Sequence, residues 1–144
     1  MNRQQLGQLA RRAAATQKTF DKFRGASFSW EGASCAHLLR THLRNMGHRP
    51  PKMPKFQSAI GAKRAIAEMG AADLKSLCVV LGLIEIAPAM SLVGDVAILP
   101  GDDGPFDAIV VCAGNGKFMG WHGAAEGLQM IDDVLPHVIA AFRA

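Results

Sequence analysis

Apolar positions follow a helical period up to about residue 82 and a strand-like period after it. Leu6, Leu9, Ala13, Phe20 and Phe23 recur among charged residues, predicting one or two amphipathic helical stretches over 2–24 that end at Gly25. "GASFSWEGAS" then reads as a loop closing on the helix cap Ser34. From Cys35, the residues Leu38, Leu39, Leu43 and Met46 return at steps of three and four, and Gly47 follows as a left-handed stop. A helix over 35–46 is expected, with Cys35 in its first turn. The prolines of "HRPPKMPK" predict an extended linker. "FQSAIGAKRAIAEMG" reads as a helix capped by Ser58 and stopped by Gly70, and "AADLKSLCVVLGL" as one started by Asp73 and ended at Gly82.

Beyond Gly82, short β-branched runs alternate with Gly, Pro and Asp clusters, predicting strands near 95–99, 107–113, 117–121 and 127–131. Asn115-Gly116 is a hairpin signal for a type I′ turn. In the tail "DDVLPHVIAAFRA", Pro136 interrupts any helix, and "HVIAAF" suits a last strand. Helices followed by a small antiparallel sheet make an α+β fold. We divide the chain into a basic N-terminal helical arm over 1–26 and a domain over 27–144.

Composition adds bounds. A chain of 144 residues, 49% hydrophobic and 19% charged, suits one soluble domain with a single core. No apolar run approaches the roughly 18 residues of a membrane span, and the N-terminal stretch lacks a secretory apolar centre. The expectation is a protein made and kept in a cytoplasm, or packed there into a larger particle. Charge is polarised: residues 1–64 hold 13 Lys or Arg against 2 Asp or Glu, and residues 65–144 hold 3 against 10. A basic half of this kind could meet nucleic acid or an acidic partner. Without an interleaved aromatic motif it reads as a solvated face, so nucleic acid is not the expected partner.

Cys35, Cys78 and Cys112 are far apart, with no CxxC pair, so neither a disulfide framework nor a cysteine zinc site is suggested. Cys78 and Cys112 sit inside apolar runs and read as small core residues. Cys35 differs, because a thiol in a helix's first turn feels the positive end of the macrodipole and its free N–H groups. A nucleophile also requires a histidine brought close by the fold.

"FSWEGASCAHLL" resembles the nucleophile segment of the NlpC-type cysteine peptidases, a compact branch of the papain-like fold, and "GDVAILPG" followed by "AIVVCAGNGKFMGWH" resembles their central strand and hairpin. The resemblance spans about residues 27–131. It is nearer still to a phage-encoded subgroup found among tail genes, which shares the "F.SAIGA" helix, "GDV" before a valine-rich strand and an ending like "AFRA". This implies a papain-type α+β domain in the virion, at the tail tip or hub. Its partners would be other tail-tip or hub proteins and, through the peptidase likeness, peptidoglycan. No cofactor is implied.

The same resemblance places the base histidine six residues before the first glycine of "GNG", where this chain has Ala108. Ser34 stands where an aspartate often precedes the cysteine, and the position that orients the histidine falls near Gly120. Among the other histidines, His42 lies about 10 Å along the helix from Cys35 and His37 points to a different face. His48 and His137 read as solvent-exposed. His122, just beyond the hairpin, is the candidate for a substitute base, with a turn or interface residue as the alternative. Asp102, Asp103 and Asp107 depart from calcium-loop spacing, so no metal site is expected. Trp30 and Trp121 either pack together near Cys35 or anchor a partner. The leading expectation is a structural or interaction component of a phage tail tip on a degenerate peptidase fold. The alternative is an active cysteine peptidase or amidase on peptidoglycan stem peptides, with Cys35 as nucleophile and His122 as base; a third reading is a basic adaptor acting through residues 1–64.

Overall fold

The polar residues marked as caps all act as caps in the computed structural model, which describes residues 1–101, 107–121 and 127–144. Four helices are defined: α1 (Arg3–Phe23), α2 (Cys35–Asn45), α3 (Ala59–Glu68) and α4 (Leu74–Val80). Ser58 Oγ accepts from the Gly61 N–H at 3.0 Å and Asp73 Oδ1 from the Ser76 N–H at 2.7 Å. Ser34 caps α2 through a box with His37, whose Nδ1 lies 2.7 Å from Ser34 Oγ. The N-terminal stretch is one continuous helix rather than two, started by an Asn2–Gln5 capping box.

Among the described residues six strands follow: β1 (Ile84–Ile86), β2 (Val96–Leu99), β3 (Ala108–Gly114), β4 (Lys117–Gly120), β5 (Gln129–Ile131) and β6 (Ala140–Arg143). They form one antiparallel sheet in the order β1-β6-β2-β3-β4-β5. The fold is therefore α+β. The β3–β4 hairpin turns on Asn115 and Gly116 at φ of 54° and 73°, the positive pair that a type I′ turn requires. The tail bends through a 3-10 turn at Leu135–His137 and then becomes β6, and β1 is an edge strand the sequence pattern did not reveal.

Alternation along β3 sorts its side chains between two cores. Ile109 and Val111 face the helices and pack with Leu38, Leu39, Leu43, Ile66, Leu77 and Phe142, while Val110 and Cys112 face the opposite side with Phe118, Val134 and Ala141. Leu38 and Leu39 are fully buried, so truncating either to alanine costs roughly 2–5 kcal/mol.

A buried polar clamp fixes α1 to the start of β2. Asp95, with a completely buried side chain, takes an ion pair from Arg12, a second guanidinium from Arg143 at 3.4 Å, and the N–H groups of Leu92 at 2.8 Å and Ala144 at 3.1 Å. Arg12 also donates to the carbonyls of Val93 and Ala144. Beside it, buried His42 sits 2.8 Å from both the Gly94 carbonyl and Thr19 Oγ1. A carbonyl only accepts, so Nε2 carries the proton and Nδ1 accepts from the Thr19 hydroxyl, which in turn accepts from Asn45. Burial holds the His42 pKa down to about 4, so the ring is neutral. Among the described residues no helix is long and apolar enough to cross a membrane.

Candidate functional site

At the other end of β2 the chain leaves a cavity of about 780 Å³. The first turn of α2 enters it from one side, the β2 end and the β3 start form its floor, and the segment after β5 forms its rim. Cys35 lies half-buried in this cavity, and its Sγ accepts from the Ile109 N–H at 3.4 Å. That bond and the helix N-terminus favour a thiolate. Burial outweighs them, and the thiol titrates above its ordinary value. Cys35 therefore carries its proton at neutral pH and reacts only if a base removes it.

Ala108, at the start of β3, lines the same cavity and immediately precedes the Ile109 donor. Its methyl group can neither take nor give a proton. Gly120 is closed in a different way: a Cβ built there would lie 2.7 Å from Val110 Cγ1, so the sheet's own packing leaves no room for a side chain. Both tryptophans line the cavity, joined through Phe28, which meets Trp30 edge-on at 4.9 Å and Trp121 at 5.8 Å. Trp121 Nε1 donates to the Ala26 carbonyl and its ring meets Phe23, so the aromatic wall is anchored to the end of α1. Asp107, Asp132, Asp133 and His137 complete the rim, and no Lys or Arg lines the cavity among the described residues.

Residues 8–144 match the profile of a domain of unknown function, DUF6950. The chain belongs to the DUF6950 family. No curated protein and no solved structure matches it. The match takes in both the clamp and the cavity, so in this DUF6950 chain the two ends of β2 belong to one family domain.

Among the described histidines of the DUF6950 chain, His37 and His42 serve structure, His48 is exposed and His137 lies at the rim. His42 is part of the clamp. His37 is bonded to Ser34, lies 5.0 Å from the Phe56 ring, and is held below its ordinary pKa by burial and then by Lys22, so it serves the α2 cap rather than the thiol. His137 is exposed at the cavity mouth, a placement that the sequence pattern missed because it depends on how the segment after β5 folds back. His122, the proposed substitute base, lies outside the described residues, as do Asp102 and Asp103. Cys78 and Cys112 are buried core residues, and burial pushes the Cys78 thiol up to about 12. No group of three His, Cys, Asp or Glu among the described residues is placed to hold a metal.

Proposed function

We infer that this chain is an NlpC-related, papain-type domain that has given up hydrolysis and acts as a binding component of a phage tail tip. One observation carries the reading. The cysteine at the head of α2 meets the start of β3 at a cavity; Ala108, which stands where the resemblance expects a base, offers only a methyl group, and the thiol titrates above its ordinary value. A cavity that keeps its walls without a base at that strand position is suited to holding a ligand rather than cutting one. The order of helices, extended linker, antiparallel sheet and Asn-Gly hairpin supports the papain-type assignment. Mass spectrometry of purified virions is expected to find the chain there, and incubation of the purified protein with peptidoglycan is expected to release no muropeptides. Virions without it, or cleavage, would overturn the proposal.

A second reading is favoured by Trp121, which lines the cavity and immediately precedes His122 in sequence. An active peptidase or amidase would use Cys35 as nucleophile and His122 as base. It requires muropeptide release by the wild type that disappears in both Cys35→Ser and His122→Ala. Alkylation of Cys35 across a pH series, which accelerates at lower pH in wild type than in His122→Ala, would mark the same pair.

A further inference from the structure

We propose that copies of this chain associate head to tail, with the first turns of α1 from one copy seated in the Cys35 cavity of the next. Residues 1–11 bury no side chain, and their hydrogen bonds are those of the helix and its Asn2–Gln5 cap. Leu6, Ala10 and Ala13 nevertheless share one face at steps of four and three, all exposed, Leu6 at 55%, with Arg3 beside them. An apolar stripe held out to water on a basic helix is the form taken by elements that dock into grooves.

The cavity has the matching character. Its walls are apolar and aromatic at Phe28 and Trp121, and among the described residues the charged groups on its rim are the carboxylates Asp107, Asp132 and Asp133. The geometry prevents a copy from filling its own cavity. α1 runs from Phe23, packed on Trp121 at the cavity end, to Arg12, locked to Asp95 at the opposite end of β2. Its remaining turns continue past the clamp, and the nine residues from Arg3 to Arg11 extend about 13 Å. The exposed first turns of α1 and the acidic cavity thus lie beyond opposite ends of β2, which is the arrangement for a heterologous contact that repeats from copy to copy. A helix is about 10–12 Å across, so the arm lies over the mouth with Leu6 entering among the aromatic rings and Arg3 meeting the aspartates.

This inference rests on reading the cavity as a binding site. Sedimentation reports it without any assay of hydrolysis or virions, so it can fail or survive independently of that reading. The full chain is examined over a concentration series at low and at high salt. Association that grows with concentration and weakens with salt is expected, because the contact pairs charges at a solvent-exposed rim. An arm variant, Arg3→Gln with Leu6→Gln, and a rim variant, Asp132→Asn with Asp133→Asn, which remove charge without reversing it, each lose at least about tenfold in affinity. Mixed together they restore association that stops at the dimer, since one intact arm meets one intact cavity. The substituted arm and aspartate side chains are exposed, so unchanged circular dichroism is expected in both variants. A monomer at every concentration, association untouched by either variant, or cavity occupancy by some other protein in place of a second copy would overturn the proposal.

Discussion

At the Asp95 end of β2 the buried polar groups are matched: a carboxylate with two guanidiniums and two N–H groups, and a histidine with a carbonyl and a hydroxyl. At the Leu99 end a protonated thiol, three aspartates and an exposed histidine border open space. No buried side-chain nitrogen or oxygen among the described residues lacks a partner, so the first end is satisfied within the protein, whereas the carboxylates and histidine of the second face solvent. The difference teaches that strongly perturbed titratable groups need not mark a reaction centre. His42, held to about 4, is a structural residue, and the cavity's own thiol is pushed away from reactivity.

The contrast is broken most directly at Asp95. Asp95→Ala leaves the Arg12 guanidinium, itself only 17% exposed, and two backbone N–H groups without their carboxylate. A buried pair cut on one side costs about 3–5 kcal/mol. Urea denaturation should show a loss of that size, and a loss below about 1 kcal/mol would mean that the clamp does not hold α1 to the sheet. Asp95→Asn keeps the shape and one acceptor and is expected to lose less.

His42 supplies the next effect. Its folded pKa lies below the ordinary value of 6.5, so between about pH 6.5 and 4 the unfolded chain binds the proton that the folded one refuses. Stability contributed by the neutral ring is fully present above pH 6.5 and is lost as pH falls, by about 3 kcal/mol at pH 4. Denaturation midpoints compared at pH 7 and pH 4.5 should fall more steeply for the wild type than for His42→Gln, which has no proton to bind. Equal slopes would remove His42 from the account of acid stability.

Much of this architecture was legible because its signals are local. Ser58, Asp73, Gly47 and the Asn115-Gly116 pair act within a few residues of themselves, and the elements they bound stand within a few residues of where the pattern put them. The clamp was not legible. Asp95 is defined by Arg12, 83 positions away, and His42 by Gly94, 52 positions away, while β1 has two of its three residues exposed and acquires its identity only by pairing with the far end of the chain. The site was half legible: Cys35 and Ala108 were singled out from the chain and both line the cavity, but the rim of Asp132, Asp133 and His137 comes from a segment whose path no local pattern dictates.

Ala108→His sharpens the comparison with the smallest effect on stability. Ala108 is half-buried and lines open volume rather than close-packed interior, so a larger side chain can extend into the cavity without displacing the core. Its cost is expected within about 1 kcal/mol, well below that of Asp95→Ala. The chemical effect should be larger than the structural one: an imidazole at the start of β3 offers a proton acceptor where Ala108 has none, moving the pH dependence of Cys35 alkylation downward and making the reaction faster at neutral pH. If the variant is destabilised as severely as the clamp variant, the cavity wall is packed as tightly as the Asp95 end, and the division between the two ends of β2 is lost. If it folds normally and the thiol does not respond, the wall is permissive but the β3 start does not aim a side chain at the sulfur, and Ala108 is then not what keeps Cys35 unreactive.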